Sequence, residues 1–118
     1  MYRNSLYRLK QSLKIKLAIL FRKTIIIEDN KRCVGKSYLI DKISKQYKLP
    51  IIRGSYNKID KQFTSYIGKH DNIILIDTYF FNRTQYNLIR RDISNLVTYG
   101  HIIIGFNTFV GEKRWKNY

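Results

Sequence analysis

The segment Asn30-Lys31-Arg32-Cys33-Val34-Gly35-Lys36-Ser37 holds the residues best suited to chemistry. It follows a short β-branched run at 24–27 and leads into helical periodicity from Ser37 onward. A loop between a strand and a helix presents free backbone N–H groups at the helix N-terminus, where an anion is stabilised. Gly35 gives the loop backbone freedom, and the Lys36 ammonium adds a positive charge. The Ser37 hydroxyl is a hard oxygen of the kind Mg²⁺ takes as a ligand. These residues predict a phosphate-binding loop, although an ordinary basic turn carries the same residue types. Three further polar positions follow apolar runs. Asp77 closes the run at 72–76, and Asn107 and Thr108 come just after the run at 101–104. An acid at a strand end also serves as a plain helix cap or turn former.

The elements that must position these groups are legible as periodic segments. Over residues 1–23, Tyr2, Leu6, Leu9, Leu13, Leu17 and Leu20 recur at spacings of three and four, which is one helix face. Arg3, Arg8, Lys10, Lys14, Lys16, Arg22 and Lys23 occupy much of the rest, with no acid among them. The leucine face is expected to pack on the domain and the cations to face solvent; a nucleic-acid-binding or membrane-surface helix are the other readings. The runs 24–27, 50–53, 72–76 and 101–104 read as strands. Helices are expected from Ser37 with Tyr38, Leu39, Ile43 and Tyr47 near one side, over the row Ile59, Phe63 and Ile67, and over 84–97 with Tyr86, Ile89, Ile93 and Val97 on one face. Residues 54–57 read as a turn, and Gly68, Gly100 and Gly105 as element ends. The apolar runs are continuous rather than alternating, as strands covered on both faces should be. Alternating strands and helices predict an α/β fold: a three-layer α/β/α arrangement around a mainly parallel four-stranded sheet, preceded by a basic helix. Right-handed crossovers then gather the strand carboxyl ends on one edge, where ligands bind in open sheets.

Length and charge bound the rest. The chain has 118 residues without an evident linker, so one domain is expected: a basic helix (1–23), an α/β core (24–108) and a basic tail (109–118) containing Trp115. At 44% hydrophobic residues it can build a core. Lys and Arg number 23 against 8 acids, a formal charge of +15, which points to a polyanionic partner. The single cysteine, Cys33, excludes an internal disulfide framework, and two histidines, His70 and His101, leave little for a metal site. No apolar run reaches the ~20 residues of a membrane span, and the basic start lacks a signal-peptide core, so a cytoplasmic protein is expected, in a host cell's cytoplasm if the chain is viral.

The closing Gly35-Lys36-Ser37, flanked by strand and helix, resembles the Walker A motif of P-loop NTPases, with Asn30 where the motif opens on Gly. Asn is the non-glycine residue most tolerant of left-handed geometry. Ile73-Ile74-Leu75-Ile76-Asp77 looks like a Walker B strand. The resemblance is to the additional-strand branch, the AAA+, RecA-like and packaging-terminase relatives, in minimal or degenerate form. It implies that the backbone of residues 30–35 cradles phosphates, that Lys36 contacts the β- and γ-phosphates of ATP or GTP, and that Ser37 and Asp77 position Mg²⁺. It implies that Asn107 senses the γ-phosphate, and that the strands run in the order first, fourth, third, second. It leaves the first strand on an edge, to be shielded by the N-terminal helix, the tail or a second subunit. The Glu that usually follows the Walker B Asp is Thr78 here, so nucleotide binding is better supported than hydrolysis. Arg83, Arg90 and Arg91 are candidate phosphate-contacting or inter-subunit fingers, or simply a solvated face.

The charge exceeds what a nucleotide pocket needs. Cations interleaved with tyrosines suit nucleic acid bound through its backbone, DNA or RNA, with Arg3, Arg8, Lys10, Lys14, Arg90 and Arg91 as contacts. The expected function is a small nucleotide-binding P-loop protein acting on or with nucleic acid, of the kind a phage or mobile element uses as an accessory factor, with a protein partner or a second copy. The alternatives are a non-hydrolysing P-loop fold serving as a nucleic-acid-binding or inhibitory module, and a small-molecule kinase, for which little chain remains.

Overall fold

The four β-branched runs become four strands of one parallel sheet, and the segments between them become its covering helices. The computed structural model describes residues 2–69 and 72–111, with the side chains of Tyr2 and Arg3 outside that description. His70, Trp115 and the basic tail from 112 onward also lie outside the described residues. Along the chain the elements are α1 (Tyr2–Phe21), β1 (Ile25–Asp29), α2 (Lys36–Tyr47), β2 (Ile51–Ser55), α3 (Tyr56–Thr64), β3 (Ile73–Phe80), α4 (Arg83–Thr98) and β4 (Ile102–Phe109). The strand order is β1-β4-β3-β2, the order the resemblance implies, and all pairs are parallel.

Alternation along each strand divides the core in two. Ile15 and Ala18 of α1 join Leu39, Ile40 and Ile43 of α2 against Leu75, Ile104 and Phe106 on one face of the sheet. Ile59 and Phe63 of α3 and Ile89, Ile93 and Leu96 of α4 pack on Ile52, Ile74, Ile76 and Ile103 on the other. This is a three-layer α/β/α fold. Burying branched side chains on both faces supplies the main driving force, at about 25 cal/mol per Å² of apolar surface.

Several boundaries move, because sheet pairing extends strands past their apolar runs. Residues 54 and 55 belong to β2 rather than to a turn, and α3 starts at once at Tyr56. Asp77 sits inside β3, which continues to Phe80. β4 runs through Gly105, which does not end it. At Gly105 the backbone has φ 150° and lies so close to β3 that a Cβ would stand 2.0 Å from the Ile76 carbonyl oxygen. Only glycine permits that approach.

The helix faces also differ from expectation. On α1 the buried residues are Tyr7, Gln11, Ile15 and Ala18, while Leu6, Leu9, Leu13, Leu17 and Leu20 are 49–71% exposed. The side carrying Ile15 and Ala18 packs on the sheet, against Leu75, Ile104 and Phe106. On α2 the buried set is Leu39, Ile40 and Ile43, with Tyr38 and Tyr47 exposed. Ile67 and Val97 likewise face outward. β1 forms a sheet edge, and α1 packs through Tyr7, Ile15 and Ala18 on the face that β1 shares with β4. No helix among the described residues is long and apolar enough to cross a membrane.

Candidate phosphate-binding site

The loop between β1 and α2 lies at the carboxyl edge of the sheet, next to the carboxyl-terminal parts of β3 and β4. A cleft of about 300 Å³ opens there. Lys31, Arg32, Cys33, Gly35, Lys36 and Ser37 line it from the loop and helix, Asp77 and Tyr79 from β3, and Thr108 from β4. Gly35 caps α2 in the left-handed conformation, φ 90°, so the helix starts at Lys36 with its N–H groups turned to the cleft. The other left-handed residue of the loop is Cys33, φ 58°. The left-handed geometry expected at Asn30 therefore falls three residues later. Successive right- and left-handed residues make a concave nest of N–H groups, a shape that binds anions.

The Lys36 ammonium is buried and donates to two acceptors. One is the Asp29 carboxylate at 2.5 Å, and the other is Thr108 Oγ1 at 2.7 Å. Burial alone pushes the Asp29 carboxyl up, but the Lys36 and Tyr7 hydrogen bonds, the Lys36 charge and the Lys31 N–H together hold it below its ordinary value. Burial lowers the Lys36 ammonium, against the pull of Asp29 and Asp77. We take the pair as charged, because every donor around Asp29 favours the carboxylate. The Tyr7 hydroxyl donates to Asp29 at 2.8 Å, and burial together with that anion pushes the phenol far up, so it stays protonated.

Ser37 and Asp77 meet on the other side of the cleft. The Ser37 hydroxyl donates to Asp77 Oδ2 at 2.6 Å. Arg53 of β2 also donates to that oxygen, through Nε at 2.8 Å, and reaches Asp41 at 2.9 Å. One hydroxyl and one carboxylate in contact fit a Mg²⁺ ion that takes its remaining ligands from phosphate oxygens and water, the usual arrangement for that ion. Among the described residues no group of three His, Cys, Asp or Glu side chains could hold a metal without such a ligand.

Other expected site residues lie elsewhere. Asn107 is fully buried on the opposite face of the sheet, where Thr78 Oγ1 donates to its Oδ1 at 3.0 Å and its Nδ2 donates to Glu28 at 3.3 Å. Strand alternation requires this, since Thr108 faces the loop and its neighbour cannot. Asn30 and Val34 belong to the loop but do not line the cleft; Val34 packs toward the α1–α2 core. Arg90 and Arg91 project from α4 on the far side of the sheet, Arg90 at 3.9 Å from Glu28 and Arg91 beside Asp92. Lys10 and Lys14 are exposed on α1. Arg8 is instead drawn against the loop: a Cβ on Gly35 would stand 2.7 Å from its Cδ.

Sequence reading missed Arg53 and Tyr7 as parts of this site, placed Arg8 among the nucleic-acid contacts, and named Thr108 beside Asn107 without giving it the role of meeting Lys36. Period-2 alternation counted forward from Phe106 would have assigned Thr108 to the cleft face. Nothing in the order of residues marks Tyr7, which reaches Asp29 only once α1 lies across the sheet. Comparison with protein-family models, curated proteins and solved structures found no match for this chain.

Proposed function

We propose that the chain binds a Mg²⁺-nucleoside triphosphate in this cleft. One observation carries the reading: a glycine-capped helix N-terminus, Lys36, and the Ser37–Asp77 contact converge at the carboxyl edge of a parallel sheet. That is the arrangement phosphate groups require. The strand order β1-β4-β3-β2 supports the additional-strand P-loop class. In this reading the Lys36 ammonium leaves Asp29 for the phosphates, the loop N–H groups hold their oxygens, and Ser37 and Asp77 hold Mg²⁺. The metal supplies charge neutralisation of the phosphates.

Hydrolysis by the isolated chain has less support. Thr78 follows Asp77 and points to the Asn107 face, and no Glu is among the described residues that line the cleft. Binding without turnover, or turnover completed by groups from a partner, fits the geometry better. The charge of +15 supports a polyanion such as DNA or RNA as that partner.

Titration of the purified protein with fluorescent ATP and GTP analogues, with and without Mg²⁺, tests the proposal. Saturable Mg²⁺-dependent binding is expected, weakened at least ~10-fold by Lys36→Ala through loss of charge-assisted phosphate contacts. Absence of binding to either nucleotide would overturn it. The polyanion part has its own test: affinity for duplex or single-stranded DNA should fall steeply as salt rises.

A further inference from the structure

The five leucines of α1 form an exposed apolar ridge on the side opposite its buried face. At about 100° per residue, Leu6, Leu9, Leu13, Leu17 and Leu20 fall within roughly 80° of arc. Tyr7, Gln11, Ile15 and Ala18, which hold α1 to the sheet, lie on the other side. The helix thus has two apolar sides, and the fold uses one. The ridge runs about 21 Å from Leu6 to Leu20. Toward its carboxyl end it widens into a groove of about 530 Å³ that Tyr47 of α2 helps to line. Lys10 and Lys16 border the ridge on its two sides, and Lys14 lies further round beyond Lys10. Arg22 and Lys23 follow at its end, and no acid occurs before Glu28.

We infer that this ridge seats α1 in the surface of an anionic lipid bilayer, with the helix axis in the membrane plane. Charge selects the occupant. A second copy would bring two acid-free helices together, lysine against lysine, without a compensating carboxylate. Nucleic acid would engage the lysines and leave the leucines in water. A lipid surface uses both: leucines enter the acyl boundary while the bordering lysines extend to the phosphates. A ridge that lies along one side of a helix can rest in a plane, and the 20 residues of α1 are too charged to span a membrane. The inference is independent of the nucleotide reading.

Flotation of the full chain with phosphatidylcholine vesicles, and with vesicles containing added phosphatidylglycerol, tests it. Wild type should partition to the anionic vesicles and not to the neutral ones. The double variant Leu9→Ser/Leu13→Ser should lose partitioning by at least ~10-fold, since each leucine carries most of a buried side chain's transfer energy. Its affinity for duplex DNA should stay within about twofold of wild type, because phosphate contacts use cations only. Both leucines are exposed, so the variant should keep the wild-type circular dichroism spectrum and unfolding midpoint. Lys10→Glu/Lys16→Glu should remove the preference for anionic vesicles. Failure of wild type to float with anionic vesicles overturns the inference. So does a dimer in sedimentation that the serine variant dissolves while vesicle binding is absent; the ridge would then belong to a second copy. Equal loss of vesicle and DNA binding in the serine variant also overturns it.

Discussion

Ser37 Oγ donates a 2.6 Å hydrogen bond to Asp77 Oδ2 across 40 positions of sequence. The contact joins the first turn of α2 to β3, and it is where a hydroxyl and a carboxylate share one cation in the proposed function. Ser37→Ala or Asp77→Asn should therefore reduce the Mg²⁺-dependent part of nucleotide affinity at least ~10-fold and leave Mg²⁺-free binding nearly unchanged. Nucleotide titrations at several Mg²⁺ concentrations measure this. A variant that keeps its full Mg²⁺ response would remove Asp77 from the site.

Thr108 and Asn107 offer a paired experiment, since adjacent strand positions face opposite sides of the sheet. Thr108→Val keeps the shape and removes the acceptor for Lys36, so nucleotide affinity should change several-fold while stability falls by about 1 kcal/mol. Asn107→Ala removes a buried partner of Thr78 and Glu28, so stability should fall by about 1–3 kcal/mol with little change in affinity. Urea unfolding and nucleotide titration on both variants separate the roles. The reverse pattern would restore Asn107 as the phosphate-facing residue.

The pH response of the Asp29–Lys36 pair has a definite sign. The Asp29 pKa in the folded protein lies below its unfolded value near 4. The carboxylate thus contributes stability above the unfolded value, and that contribution is lost as pH falls through the folded one. Asp29→Asn should be about 1.5–3 kcal/mol less stable than wild type at neutral pH. The gap should narrow on acidification below about pH 4. Denaturant unfolding at neutral and acid pH checks it; a gap that persists unchanged at the acid end would deny the pairing. The same variant frees Lys36 and removes an anion from the cleft, so nucleotide should bind several-fold more tightly.

Gly105→Ala tests the closeness of β3 and β4 at the centre of the sheet. An added methyl meets the Ile76 backbone at 2.0 Å, and φ of 150° is unsuited to alanine. Backbone cannot yield as a side-chain tip can, so a loss of at least ~3 kcal/mol is expected. A melting temperature within a few degrees of wild type would show that β4 can shift. Gly35→Ala differs, because its Cβ would meet only the flexible end of Arg8. Its cost should stay near ~1 kcal/mol and arise from the left-handed backbone.

The residue order determined the alternation of strands and helices, because continuous branched runs and 3.6-residue spacing are local properties. It also placed Gly35-Lys36-Ser37 between a strand and a helix, Asp77 at the end of a later strand, and the 107–108 pair just past another. What it left open depended on partners distant in sequence. Ladder hydrogen bonds from neighbouring strands carried β3 to Phe80 and β4 to Phe109, past the ends of their apolar runs. The extended strands then decided that Thr108 meets Lys36 and Asn107 does not. α1 carries two apolar sides, and periodicity cannot rank them. Packing against the sheet buried Ile15 and Ala18 rather than the leucines, and the same choice brought Tyr7 to Asp29 and turned the leucine ridge outward.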